Sequence, residues 1–290
     1  MDIIKCNAKI NIGLNVIGKR NDGYHELRMI MAPIDFSDTL HIQYQKGVIG
    51  EFNMSCNIPF IPTDKRNILY KIYDSFYFKT GIIPEKINIS LMKKVPIQAG
   101  LGGGSSNGAF LLKYLNVKHN NILSLEEMIK ISKKIGADIP FFLINKTALV
   151  EGIGEKIDIV KNTLNCDIIL IKPTFGVSTK EAFENISKII LKKDVRIDNI
   201  RYALENNDIE GVKANIFNDI ERSLLLTNQK IIDIKYLENK LKNINLFMSG
   251  SGSTYFVLVN KNSSEKVYNE LKNIFPIHSF FLYKTHFINN

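Results

Sequence analysis

The sequence predicts an α+β protein of two lobes, and three observations carry that prediction. The first ninety residues hold several short runs of alternating apolar and polar residues. A glycine-rich segment at 99–106 then opens directly into residues with helical apolar spacing. The second half changes pattern, to a buried-looking strand, a long helical stretch and two closing strands.

Taken in order, Ala8 to Ile17 alternates through Ile10, Ile12, Leu14 and Val16, and Asn21-Asp22-Gly23 supplies turn chemistry. Strand-like runs follow at 28–34, 39–44 and 86–93, with helical spacing at 67–77 between them. Helices are expected over 107–115 and from the capping box Ser124-Leu-Glu-Glu127 to Ile135. Cys166 to Lys172 reads as a strand ended by Pro173, and helices run from Thr179 into the 230s. Strands at 246–248 and 254–259 flank Ser249-Gly-Ser-Gly252, then a helix over 263–275 and a strand over 279–284 close the chain. Polar residues cluster at 162–165 and suggest a boundary there, giving domains 1–162 and 163–290.

Composition narrows the class. With 290 residues, 45% hydrophobic and 23% charged, the chain has globular averages and length enough for a substantial core. No apolar run approaches the ~18 residues of a membrane span, and the N-terminus has no targeting pattern, so a cytoplasmic protein is expected. The net charge of +9 favours anionic ligands, but the lysines are scattered among Ile and Asn rather than interleaved with aromatics. Nucleic acid and membrane are therefore not expected as partners. Cys6, Cys56 and Cys166 stand far apart and in no metal-ligand spacing, which leaves neither a disulfide framework nor a zinc site and makes them small buried hydrophobes.

Four segments could carry chemistry. In Pro96-Ile-Gln-Ala-Gly100-Leu-Gly-Gly-Gly104-Ser105-Ser106, four glycines in five positions exceed what a turn needs. They let backbone N–H groups approach an anion at a helix start, where the dipole helps. Neither the Walker A lysine nor the third glycine of a dinucleotide fingerprint follows. Gly136-Ala-Asp138-Ile-Pro140 places an Asp between a helix end and an apolar run, either as a general base or as a turn residue satisfying local N–H groups. Lys9 and Asn11 share one face of a strand, as a solvated edge or a site. Ser249-Gly-Ser-Gly252 is more than a two-residue hairpin requires.

In this order, and with Asp22-Gly-Tyr-His25 and Glu151-Gly-Ile-Gly-Glu155 between them, these segments resemble the GHMP small-molecule kinases. They are most similar to the branch acting on a cytidylated methylerythritol in the non-mevalonate isoprenoid route. The resemblance runs from Ala8 to about Val259. It implies a two-lobed GHMP-kinase-like fold, with nucleotide and substrate sites between the lobes, and ATP-dependent phosphorylation of a C2 hydroxyl. Asp138 matches the family's base and Lys9 the residue that orients and polarises the hydroxyl. Pro96, Ile97, Gln98, Ala99, Gly100, Leu101, Gly102, Gly103, Gly104, Ser105 and Ser106 match the loop that holds the ATP phosphates. Asn11, Tyr24, His25, Thr179 and Phe183 match substrate ligands, with Tyr24 and Phe183 as stacking rings on the cytidine. Mg²⁺ accompanies ATP; no carboxylate for it stands out, and Ser105 or Ser106 is the candidate ligand. Ile97, Gln98 and Asn107 depart from the smaller residues expected there. A mevalonate-type kinase and a non-catalytic nucleotide sensor are the alternatives on the same fold.

Overall fold

The structure, a computed structural model, describes residues 1–288. Its strands are β1 (Asp2–Lys19), β2 (His25–Ile49), β3 (Phe52–Cys56), β4 (Glu85–Met92), β5 (Ala148–Gly152), β6 (Lys156–Ile159), β7 (Cys166–Pro173), β8 (Phe247–Met248), β9 (Tyr255–Asn260) and β10 (Phe280–His286). Its helices are α1 (Ile68–Thr80), α2 (Gly103–Lys118), α3 (Leu125–Ser132), α4 (Ile139–Ile144), α5 (Thr179–Glu184), α6 (Arg196–Glu205), α7 (Ile209–Asn215), α8 (Asp219–Leu224), α9 (Gln229–Glu238) and α10 (Ser264–Ile274).

The chain forms two compact units. One comprises residues 1–8, 36–95 and 102–145, the other 9–35, 96–101 and the described residues from 146 onward. The expected boundary at 162 lies inside the second unit. There Val160 N donates to Thr147 O, Asn162 Nδ2 to Thr147 Oγ1 at 3.3 Å, and Thr163 N to Leu204 O, so this linker is pinned on both sides.

In the first unit the later part of β2 pairs antiparallel with β4, which pairs in parallel with β3. Helices α1, α2, α3 and α4 pack together, and Leu69, Ile72, Phe76, Leu111, Leu112, Leu115, Phe141 and Phe142 are fully buried. Asn67 caps α1 through Leu69 N, and the Ser124–Glu127 capping box forms as the sequence predicts. Helix α3 stops at Ser132, three residues short of expectation, because Ile135 N and Gly136 N both turn back onto the Ser132 carbonyl.

The second unit pairs the early part of β2 with β5, and β5 with β6. Its other sheet has the antiparallel order β10-β7-β9-β8, and Ile168 to Ile171 of the central β7 are buried. The sequence suggests two strands where the single β2 runs. Between the two expected runs, Asp38 turns its carboxylate onto residues 93–95 and 107 and the extended backbone continues. Cys6 and Cys166 are buried as expected, and burial pushes both thiols up to about 12. Cys56 is only half-buried, since β3 alternates between partly covered and open positions.

Candidate active site

Within the second unit, β1 brings Lys9 and Asn11 to the same face, both buried. Lys9 Nζ donates to Asn11 Oδ1 at 2.5 Å. An ammonium fixes which end of an amide faces it, so the carboxamide oxygen turns to Lys9 and its NH₂ stays available as a donor on Met29 Sδ at 3.3 Å. The turn after β8 closes over this pair. Ser249 Oγ accepts from Asn11 N at 3.2 Å and donates to Gly100 O at 3.0 Å. A Cβ at Gly250, whose φ is +57°, would stand 3.1 Å from Asn11 Oδ1 and 3.2 Å from Lys9 Nζ. The glycine is what lets that turn reach the lysine.

Asn218 holds the same turn from behind. Its Nδ2 donates to Met248 O at 2.9 Å and Gly250 O at 2.8 Å, and its Oδ1 caps α8. The segment 96–101 is stitched in by Lys9 N to Leu101 O and Thr254 N to Ala99 O. Gln98, a departure from the expected small residue, occupies the left-handed region at φ 48°, where glycine is the easier residue.

The remaining predicted residues of this unit form a second group. His25 and Phe183 stack with centroids 5.1 Å apart and planes 23° from parallel, which leaves no room for a third ring between them. The structure thus pairs Phe183 with His25, while Tyr24 stands 61% exposed in the turn where Asp22 accepts from its N–H. Burial, and to a lesser degree the Lys19 charge, lower the His25 pKa, so the imidazole is neutral at pH 7. Thr179 Oγ1 lies 3.3 Å from Ser251 Oγ, on the turn that covers Lys9.

In the first unit, α2 starts at Gly103 with Gly102 (φ +70°) at its cap position and no side-chain cap. The N–H groups of Gly103, Gly104 and Ser105 have no carbonyl within the helix to bind, and Ser106 N is the first to find one, Gly102 O at 2.9 Å. Ser106 Oγ is fully buried without a hydrogen-bond partner, so its side chain faces the interior. Ser105 is half-buried, and a Cβ at Gly136 would stand 3.4 Å from its hydroxyl, so the 136–138 turn borders the start of α2. Asp138 takes the cap position of the six-residue α4, with no side-chain capping hydrogen bond.

Beneath α2 lies a cluster that the sequence reading missed. Asp38, fully buried, accepts from Lys93 Nζ, from Lys94 N at 2.8 Å, from Val95 N at 2.9 Å and from Asn107 Nδ2 at 3.0 Å. A Cβ at Gly103 would stand 3.0 Å from Lys93 Nζ. Asn107, another of the unexpected residues, is thus a ligand of this carboxylate. Its pairing with Asp38, sixty-nine positions away, leaves no mark in local sequence.

Among the described residues no group of three or more His, Cys, Asp or Glu side chains is placed to hold a metal ion. The accessible hydroxyl of Ser105, beside free N–H groups, fits an ion that takes its other ligands from phosphate oxygens and water.

Residues 67–146 match the GHMP kinases N terminal domain, and residues 200–277 match the GHMP kinases C terminal domain. A 4-diphosphocytidyl-2-C-methyl-D-erythritol kinase of Fusobacterium nucleatum subsp. nucleatum is 44% identical over 271 residues, covering 93% of this chain and 92% of that one. The kinase of the same name from Clostridium perfringens is 38% identical over 292 residues and 99% of both chains. A solved 4-(cytidine 5'-diphospho)-2C-methyl-D-erythritol kinase superposes with a TM-score of 0.78 at 24% identity, over 98% of this chain and 99% of that one. A homoserine kinase from Cytophaga hutchinsonii gives 0.75 at 18%, over 99% and 95%, and both likenesses speak to the fold. The chain belongs to the GHMP kinases and, within them, to the 4-diphosphocytidyl-2-C-methyl-D-erythritol kinase family. Its activity is that of an ATP-dependent small-molecule kinase. Among the described residues no helix is long and apolar enough to cross a membrane.

Proposed function

We propose that this chain transfers the γ-phosphoryl group of ATP to the C2 hydroxyl of 4-diphosphocytidyl-2-C-methyl-D-erythritol, in isoprenoid precursor synthesis. The observation that carries the reading is the buried Lys9–Asn11 pair, held under the Ser249–Gly250 turn, in a chain 44% identical to a kinase of that name. Asp138 accepts the hydroxyl proton. The oxygen then attacks the γ-phosphorus, the new O–P bond forms, and the bond to the bridging oxygen breaks to release ADP. Lys9 orients and polarises the hydroxyl, and Asn11 donates its NH₂ to the substrate.

The loop from Pro96 to Ser105 holds the phosphates through its N–H groups, which suits phosphoryl transfer because the reaction asks for charge neutralisation and alignment. Ser105 is the side chain that would help hold Mg²⁺, and the ion supplies charge neutralisation at the phosphate oxygens. His25, neutral at pH 7, hydrogen-bonds the pyrimidine edge. Tyr24 and the outer face of Phe183 offer it stacking surfaces, and Thr179 lies on the same wall. Remote binding of the cytidyl group then positions the reacting hydroxyl.

The test is ADP release with Mg-ATP, comparing the cytidylated alcohol with the same alcohol lacking cytidine. Turnover of the first alone is expected. Equal turnover of both removes the cytidyl pocket, and turnover of neither, with ATP still bound, removes the kinase reading.

A further inference from the structure

Lys172 lies near the end of β7, buried in the second unit. Burial alone lowers its ammonium to about 8. A buried cation needs acceptors, and this one has Pro173 O at 2.6 Å and Phe175 O at 2.7 Å. The first carbonyl ends β7 and the second lies in the turn that carries the chain from β7 into residues 176–179 and α5. Three other contacts converge on that turn and the residues just beyond it. Ser253 Oγ donates to the same Phe175 carbonyl at 2.5 Å. A Cβ at Gly176 would stand 2.9 Å from both Cβ and Oε1 of Gln98, so the turn rests on the phosphate-loop segment. Thr179 meets Ser251. Without the ammonium, the Pro173 carbonyl loses its buried side-chain donor and the Phe175 carbonyl keeps only Ser253 Oγ, so the turn, still tied by Thr174 N to Ser279 O, loses the cation that draws both carbonyls to one point.

We propose that Lys172 is the positioning residue of the cytidyl pocket: its ammonium folds the Pro173–Phe175 turn so that Thr179 and Phe183 meet the substrate. The proposal rests on the function argued above and adds a residue that touches neither substrate nor nucleotide. It acts on binding of the cytidyl group, through a turn, and not on the reacting atoms. A neutral amine keeps N–H donors but loses the charge that makes such bonds about twice as strong. The grip on the turn therefore weakens as Lys172 deprotonates. The titratable groups on the elements packed around it are Tyr255 on β9, with Glu221 and Lys235 beyond it, and Tyr283, Lys284 and His286 on β10. Lys230 lies 5.4 Å over the Phe175 ring. None of them contributes to the lowering of Lys172.

The experiment uses the full chain with Mg-ATP and the cytidylated alcohol. In the wild type, KM for the alcohol rises as pH passes through about 8, while KM for ATP stays level. Lys172→Met raises the alcohol's KM by roughly tenfold or more, with kcat within about threefold of wild type. Lys172→Arg, charged throughout, restores the lower KM and removes its rise with pH. A wild-type KM flat across that range overturns the proposal whether or not the variants fold, and so does a Met variant whose loss falls on kcat alone. A wild type that does not turn over the cytidylated alcohol overturns the function itself, and this inference with it.

Discussion

Gly104 has no reason in the fold to be glycine. Its φ is outside the left-handed region, and a Cβ built on it meets nothing within 4 Å. Gly100 is the opposite case, because its φ is +73° and its Cβ would run into the Ser249 carbonyl. Folding alone therefore makes Gly104→Ala neutral, or stabilising by up to about 1 kcal/mol through better helix propensity. For a chain of this size that is a rise in Tm of roughly 2 °C. Phosphate binding predicts the reverse for function. A methyl group on the open surface of the first turn of α2 holds a phosphate oxygen off the N–H groups, and weakening one or two charge-assisted bonds raises KM for ATP roughly tenfold or more. Calorimetric Tm and KM for ATP, measured on the same preparation, separate the two effects. A raised Tm with an unchanged KM refutes phosphate binding at this turn. Gly100→Ala is the control: left-handed strain of about 1–2 kcal/mol and the clash lower Tm and activity together.

Asp138→Asn lowers kcat by ~10²–10⁴ with ATP affinity retained, and near-normal steady-state turnover removes the base assignment. Asp38→Ala strands the Lys93 ammonium in the interior and costs about 3–5 kcal/mol, read by denaturant unfolding; a loss under about 1 kcal/mol denies that cluster its role beneath α2. Burial, outweighing Glu85, lowers the His119 pKa below its ordinary 6.5. The unfolded chain then binds the proton better, so this contribution is complete above 6.5 and is lost as pH falls through the folded value. A Tm that declines from pH 7 to 5 less steeply in His119→Gln than in the wild type is expected, and identical slopes rule His119 out.

How legible the site is depends on how local its causes are. The capping box of α3 is fixed by neighbours a few residues apart and is where the sequence puts it, while α2, expected over 107–115, opens four residues earlier at Gly103, within the glycine segment. Lys9 and Asn11 are legible as a pair because a strand repeats every two residues. What turns the pair from a solvated edge into a buried site is Ser249, 238 residues further on from Asn11, and no local pattern announces that contact. Asp38 escapes the sequence reading for the same reason. Its partners Lys93 to Val95 and Asn107 lie far along the chain, so nothing local marks the buried carboxylate that stands inside a 25-residue strand. His25 meets Phe183 by the same long-range logic, a contact that the sequence does not announce.

Charge makes the same point more sharply. The chain has 38 basic residues, and the excess of +9 is scattered so evenly that it names no partner. Among the described residues only Lys9, Arg28, Lys93 and Lys172 are buried, and burial of a cation is tolerated only where acceptors have been supplied. Each of the four has them. Lys9 binds Asn11, Lys93 binds Asp38 below α2, and Lys172 binds the turn leading to Thr179. Arg28 joins Glu151, of the Glu151–Glu155 motif, to Asp198. Exposed lysines interchange freely because water solvates all of them alike. A buried one is held by a particular set of oxygens, and in this chain those oxygens come from residues far along the sequence for Lys93 and Arg28 and from close neighbours for Lys9 and Lys172.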